Sequence, residues 1–251
     1  MRGIVLIATA AIIGAIALAP RMRGTTWSDW MGKLMWSTAG IPSGPLGWLS
    51  ARSMPRDHAP FYRLVAEALE LRPGDELLEV GCGSGAFLDW HAGHVGNVAG
   101  LDASDIQVGL AQERLARRIT AGTVEIVKGD AASLPWEDGR FSAVTAIEAL
   151  ELFAEPQPAL AEMYRVLRPG GRAVFTMGFR LDAAKATGRR GAAGQWAWGE
   201  ADARRLVEEA GFTDVSVIYE RKAGGSRVED MIERTFAVSR EVRLVRGVKA
   251  S

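Results

Sequence analysis

One short stretch constrains this chain more than any other: Leu77 to Gly85, which reads L-L-E-V-G-C-G-S-G. Leu77, Leu78 and Val80 form an apolar run of the length expected for a buried strand of a parallel sheet. Gly81, Gly83 and Gly85 follow on alternate positions, and Ala86, Phe87, Leu88 and Trp90 then suit the start of a helix. Glycine turns the backbone at φ > 0 and lets a ligand approach without a Cβ in the way. A helix start adds free N–H groups and a partial positive charge. Strand, glycine turn and helix start together predict a nucleotide-binding corner. Gly81, Gly83 and Ala86 also satisfy the dinucleotide fingerprint G-x-G-x-x-G/A, so the corner alone does not select its ligand.

The flanking chain alternates strand and helix. Phe61, Leu64, Val65, Ala68, Leu69 and Leu71 predict an amphipathic helix ending at Arg72-Pro73-Gly74. Beyond the glycine corner, strands are expected at Val98–Leu101, Val124–Val127, Phe141–Ile147, Ala173–Met177, Val215–Tyr219 and Thr235–Val238. Helices are expected around Ile106–Ile119, capped by Ser104 or Asp105, and at Leu160–Leu167 and Ala201–Ala210. This order predicts an α/β fold with a doubly wound, mostly parallel, seven-stranded sheet. Residues 180–199, with Gly188, Gly191 and Gly194 beside Trp196 and Trp198, read as a loop that could close over a site.

Composition limits the chemistry. Cys82 is the single cysteine, so the chain holds no internal disulfide and no thiolate zinc site, and no metal is expected. The net charge of zero conceals a segregation. Residues 1–56 carry six Arg/Lys against Asp29, a net of +5; residues 221–251 carry eight against four, a net of +4; residues 57–220 carry 16 against 25, a net of −9. An acidic body disfavours a nucleic-acid partner, and basic ends suit an anionic surface.

Ile4 to Ala19 is an uncharged run of sixteen residues flanked by Arg2, Arg21 and Arg23. It is slightly short of the roughly 18–20 residues of a membrane span. A cleaved signal peptide, with Ala17-Leu18-Ala19 as its cleavage site, competes with a membrane anchor for this run. The excess of basic residues after it places the rest of an anchored chain in the cytoplasm. The chain thus divides into an apolar anchor-like segment, 1–24; an aromatic-rich linker or lid, 25–56; and the main domain, 57–251. Trp27, Trp30, Met31, Leu34 and Met35 recur at helical spacing in the second part, suiting either the membrane interface or a helix capping the pocket. Ile41–Gly47 reads as a breaker-rich linker.

Four motifs in order resemble those of class I S-adenosylmethionine-dependent methyltransferases, over roughly residues 60–220. They are Glu79-Val80-Gly81-Cys82-Gly83-Ser84-Gly85, Gly100-Leu101-Asp102-Ala103-Ser104, Gly129-Asp130-Ala131 with Leu134-Pro135, and Arg165-Val166-Leu167-Arg168-Pro169-Gly170-Gly171. Ala210-Gly211-Phe212 also recurs in that family. The resemblance implies a Rossmann-like methyltransferase fold, S-adenosyl-L-methionine as cofactor, and a cofactor site of Glu79, Gly81, Cys82, Gly83, Gly85, Asp102, Ala103, Asp130, Ala131 and Ile147. In it Asp102 takes the ribose hydroxyls, Asp130 the adenine amine and Glu79 the amino group. Glu148 and Glu151 fall where the family meets its acceptor. Their segment is similar to an E-x-x-E-H metal motif of ubiquinone-pathway enzymes, with Leu152 in place of the histidine. The leading expectation is a membrane-associated methyltransferase of a small, apolar acceptor. A non-catalytic cofactor-binding protein and an NAD-binding reductase are the alternatives.

Overall fold

The computed structural model describes residues 41–53, 59–177, 189–190, 196–221 and 241–251. Helices α1 (Gly44–Ser53) and α2 (Ala59–Leu69) lead into β1 (Leu77–Val80). Then come α3 (Ala86–His91), β2 (Val98–Asp102), α4 (Asp105–Thr120), β3 (Val124–Lys128) and β4 (Phe141–Ala146). A 3₁₀ turn (Leu150–Leu152) precedes α5 (Pro156–Val166) and β5 (Leu167–Thr176). A short hairpin, β6 (Arg189–Arg190) and β7 (Trp196–Ala197), is followed by α6 (Glu200–Glu209), β8 (Thr213–Arg221) and β9 (Glu241–Val248).

The main sheet has the order β3-β2-β1-β4-β5-β9-β8. β1 lies at its centre, parallel to β2 through Leu78↔Ala99 and to β4 through Leu78↔Val144. All of its residues and all of β4 are buried, because helices cover both faces. Leu69, Phe87, Leu88, Val108 and Leu115, from α2, α3 and α4, pack on one face. Leu160, Met163, Val166, Leu206 and Val207, from α5 and α6, pack on the other with Phe212. The doubly wound reading therefore holds. Successive strands run outward from β1 to β3 and then resume beside β1 at β4. That reversal makes a switch point, where a crevice opens beyond the strand C-termini.

Several expectations are corrected. The strand expected at Thr235–Val238 lies outside the described residues. The sheet takes in Glu241–Val248, a strand not expected, antiparallel to both β5 and β8, which makes it mixed. This strand reads E-V-R-L-V-R-G-V, where arginines obscure the apolar alternation. Its basic residues bond within the domain: Arg246 Nη2 lies 3.1 Å from Glu70 Oε1, and Lys249 Nζ donates to the Tyr164 carbonyl at 2.9 Å. β5 begins at Leu167, earlier than expected, because Leu167 pairs with Phe141 ahead of a register shift. The stretch read as a linker is helical from Gly44, with Pro45 in the first turn, where its missing N–H costs nothing. The run Ile4–Ala19 lies outside the described residues, as do 180–188 and 191–195 of the expected closing loop. Among the described residues no helix is long and apolar enough to cross a membrane.

Opposite the crevice, one ion pair ties the start of β1 to its neighbours. Asp75 Oδ2 accepts from Arg172 Nη2 at 2.6 Å and from the Arg72 amide at 2.7 Å, while Oδ1 accepts from the Ser142 hydroxyl at 2.6 Å. Asp75 and Arg172 are both buried. Burial pushes the Asp75 carboxyl up, but the Ser142 hydroxyl, the Arg72 amide and the Arg172 guanidinium outweigh it and leave it below the usual range. Arg172→Ala strands that carboxylate and should destabilise the protein by about 3–5 kcal/mol in urea unfolding. A carboxyl more acidic folded than unfolded contributes its full stability above the unfolded carboxylate range and loses it as pH falls. The variant should therefore lose less stability on acidification than the parent. A destabilisation below about 1 kcal/mol, the range of exposed pairs, would contradict this account.

Candidate active site

A cleft of about 890 Å³ opens at the switch point, walled by the turns that follow β1, β2, β3 and β4. The glycine turn is its floor. The amides of Gly81 and Cys82 both donate to the Leu101 carbonyl, at 2.7 and 3.0 Å, which draws the end of β1 against β2. Gly81 has φ +76°, and a Cβ there would lie 2.5 Å from the Cβ of Ala149. Gly83, at φ +51°, borders the cleft, and a Cβ there would meet nothing nearer than the Gln107 side chain at 3.8 Å. Gly85 does not line the cleft; a Cβ there would meet Ala111 and Leu115 at 3.1 Å, so it serves the packing of α4. The helix start after the turn also stays out of the lining, and α3 is only six residues long.

Carboxylates dominate the walls. Asp102 Oδ2 accepts from the Gly83 amide and Oδ1 from the Ser104 amide, both at 2.9 Å. Burial raises its pKa, and these amides hold the rise in check. Glu79 is buried, and its Oε2 has no hydrogen-bond partner in the structure. Burial first, then the charge of Asp102, pushes the Glu79 carboxyl well above its ordinary value. Asp130, past β3, accepts from the Ala132 amide at 2.9 Å. Ala103, Ala131 and Ile147 supply apolar wall. Cys82 also lines the cleft, but burial and the charges of Glu79 and Asp102 raise its thiol well above the normal value. It stays protonated and packs beneath β2, where a Cβ on Gly100 would lie 2.9 Å from its Sγ.

The other half of the cleft contains both acceptor-site candidates. Glu148 holds φ +49°, unusual for a side-chain-bearing residue, with its amide bonded to the Thr176 hydroxyl. Glu151 lies in the 3₁₀ turn; burial and the charge of Glu148 push its carboxyl up to about 8. Its Oε2 is buried without a hydrogen-bond partner. Leu152, Phe153, Pro158 and Ala159 continue this wall, and Trp196 closes it from outside by donating from Nε1 to the Phe153 carbonyl at 2.9 Å.

The motifs do not identify several lining residues. Tyr62 enters from α2, its ring edge-on to Phe87 and Trp90 at 5.7 Å, and burial, then Glu79 and Glu148, raise its hydroxyl pKa. Ile41 and Ala51 enter from α1 and its lead-in, held to the domain by the Ser104 hydroxyl donating to the Pro42 carbonyl at 3.2 Å. These residues belong to elements before the glycine corner; the amphipathic pattern of α2 could have suggested an inward face for Tyr62, and no such pattern marks Ile41 or Ala51. Glu79, Asp102, Asp130, Glu148, Glu151 and Glu155 thus line a cleft in which, among the described residues, the one lining cation, Lys128, is engaged with Asp105 at 2.8 Å. Such a cleft favours a cationic ligand and opposes a pyrophosphate. Among the described residues no group of three or more His, Cys, Asp or Glu is arranged to hold a metal.

Residues 78–175 match the family model described as "Methyltransferase domain". The chain carries a class I S-adenosylmethionine-dependent methyltransferase domain. S-adenosyl-L-methionine is the methyl donor of this domain, and the nicotinamide reading falls with that assignment. Phthiotriol/phenolphthiotriol dimycocerosates methyltransferase 1 of Mycobacterium ulcerans is 37% identical over 123 residues, 48% of this chain and 44% of that protein. Demethylmenaquinone methyltransferase of Renibacterium salmoninarum is 37% identical over 112 residues, 45% of each. The chain spans less than half the length of these relatives. Geranyl diphosphate C-methyltransferase from Streptomyces coelicolor superposes with a TM-score of 0.64 at 14% identity, over 85% of this chain and 88% of that one, and shows the shared fold. The site fits the cofactor on its own chemistry: a sulfonium and an ammonium suit a cleft with a buried, unpartnered Glu79 oxygen and, among the described residues, no free cation to meet a phosphate.

The close approach of Gly81 gives a direct test of the floor. Gly81→Ala should lower stability by a few kcal/mol through both the clash with Ala149 and the positive φ, read as a fall in Tm. Adding Ala149→Gly should restore part of that loss, a coupling that independent sites would not show.

Proposed function

We propose that the protein transfers a methyl group from S-adenosyl-L-methionine to a small, apolar acceptor held at a membrane, with the methyltransferase domain on the cytoplasmic side. The carrying observation is the division of the cleft. One half presents Glu79, Asp102 and Asp130 around the glycine turn; the other presents an apolar wall with Glu148 and Glu151 set into it. The names of the two relatives, for demethylmenaquinone and for phthiotriol or phenolphthiotriol dimycocerosates, support an acceptor of this kind.

In this reading Glu79 holds the cofactor's ammonium. A carboxylate offers about four lone-pair sites, and Asp102 uses two on the Gly83 and Ser104 amides, leaving two for the ribose diol. Asp130 takes the adenine amine, while Gly81, Cys82, Gly83, Ala103, Ala131 and Ile147 form the surface against the adenosine. Gly85 acts only by packing. When bound, the cofactor supplies an already activated methyl group, so the chain's part is chiefly positioning. Glu151 near neutral pH keeps its proton and can donate a hydrogen bond to an acceptor oxygen or nitrogen; above about pH 8 it becomes a proton acceptor. Residues 4–19 tether the domain, consistent with their lack of charge and the basic residues that follow.

Calorimetric titration with S-adenosylmethionine, S-adenosylhomocysteine and NAD tests the cofactor assignment. The first two should bind and NAD should not. Asp102→Ala removes charged hydrogen bonds that contribute about 1.5–3 kcal/mol, so affinity should fall roughly tenfold or more. Unchanged affinity in a folded variant would remove Asp102 from the site. Deletion of residues 1–24 should move the protein from the membrane to the soluble fraction of cells while cofactor affinity stays the same. A mature protein starting at Pro20 outside the cytoplasm would overturn the tether.

A further inference from the structure

Among the side chains of helix α1 that the structure describes, the small ones face inward and the large ones outward. Its inward side carries its small residues: Gly47 is buried and Ala51 is fully buried, lining the cleft. Its outward side carries its bulk. Trp48 and Leu49 are 45% and 47% exposed, and Pro45 and Arg52 are exposed on the same stripe one turn before and after. Ile41, just upstream, is 44% exposed and also lines the cleft. A surface helix of a globular domain ordinarily shows the reverse, large apolar residues inward and polar ones outward. Clustered exposed apolar side chains mark an interaction site.

The occupant is indicated by charge and by what precedes the helix. Residues 44–53, G-P-L-G-W-L-S-A-R-S, contain no acid, and the Arg52 guanidinium lies over the Trp48 ring, 5.3 Å from its centroid. Tryptophan with a neighbouring arginine is suited to the bilayer interface, where the ring sits at headgroup depth and the cation meets anionic lipid. Residues 1–56 carry a net of +5, and the uncharged run Ile4–Ala19 precedes the helix in sequence.

We infer that the outward face of α1, centred on Trp48 and Leu49, docks in the interface of an anionic bilayer and turns the cleft mouth toward the lipid. Ile41 and Ala51 join the docked face to the cleft wall, so an acceptor dissolved in the bilayer reaches Glu148 and Glu151 without crossing water. This inference rests on the membrane placement proposed above and adds the docking face and the route.

A single buried cysteine makes the test direct. Cys82 is 5% exposed, so a cysteine placed on the surface of the full chain can be labelled selectively with an environment-sensitive nitrobenzoxadiazole dye. Leu49→Cys reports on α1, and Glu208→Cys on α6, which packs on β8 and β9 at the opposite edge of the sheet from α1 and α4. On vesicles of phosphatidylcholine with phosphatidylglycerol, the dye at 49 should shift to the blue and be quenched by a nitroxide-bearing lipid. The dye at 208 should do neither. Trp48→Glu in the Leu49→Cys chain should abolish most of the shift while leaving cofactor affinity, read by calorimetry, unchanged. Protein that sediments with the vesicles but shows no shift at 49 would overturn the docking and leave the tether standing. A shift at 49 already present without vesicles would also overturn it, because the upstream chain or a second copy would then cover the face. Failure to sediment at all would overturn both membrane claims, and the cofactor titration would show independently whether the methyltransferase reading survives.

Discussion

The Asp75–Arg172 ion pair is the contact on which the rest of the geometry depends. It sits at the entry to β1, the central strand, and joins the loop before it to β5, while the Ser142 hydroxyl adds β4. The strand it fixes is only four residues long, and at its far end stands Glu79. The two acids meet opposite electrostatic conditions. Asp75 is surrounded by donors and a guanidinium, and its carboxyl is held below the ordinary range. Glu79 is equally buried but has one oxygen unpartnered and an anionic neighbour in Asp102, so its carboxyl is driven upward. A buried carboxylate without a cation is costly. The fold tolerates it at the cleft end of β1 because the other end is secured, and a cationic ligand offsets that cost on binding.

Around that strand the turns are interlocked. The Leu101 carbonyl receives the Gly81 and Cys82 amides, and the next residue, Asp102, receives the Gly83 amide and returns to Ser104. Ser104 then caps α4 through Gln107 and donates to the Pro42 carbonyl. A single chain of hydrogen bonds thus runs from the glycine turn through β2 to the lead-in of α1. Floor, wall and N-terminal cover are positioned together, which keeps the cleft preorganised for its cofactor.

Local sequence was sufficient where the chemistry is local. The glycine turn, the acids at the ends of β1 and β2, and the Ser104 cap all follow from short patterns, and the structure brings the turn and both acids to one cleft. Other features depend on long-range partners. Arg165 stands in a motif read for its Pro-Gly-Gly turn, yet its guanidinium binds Glu162, Asp138 and the carbonyls of Leu134 and Trp136, clamping the loop before β4. β9 was missed because its alternation carries arginines, whose partners Glu70 and the Tyr219 ring are distant in sequence. Gly85 was grouped with the ligand-facing glycines because alternate spacing does not reveal that α4 presses on it. Tyr62 and Ala51 reach the cleft from helices that no motif marks.

The charge segregation acquires a geometric meaning in the proposed membrane arrangement. The 57–220 segment has a net of −9, and the acids that line the cleft contribute to it. An anionic leaflet repels such a body, and at physiological salt that repulsion fades over about 8 Å. The +5 of residues 1–56 is attracted to the same leaflet at about 1 kcal/mol for each nearby basic residue. In the proposed arrangement these opposed forces would orient the domain, with α1, which carries Arg52 and no acid, toward the lipid. The cleft takes Ile41 and Ala51 from α1 and its lead-in and Glu79, Asp102 and Asp130 around the glycine turn and strand ends. A charged, water-soluble cofactor and an apolar acceptor would then approach the reacting position from opposite sides, each from the medium in which it dissolves.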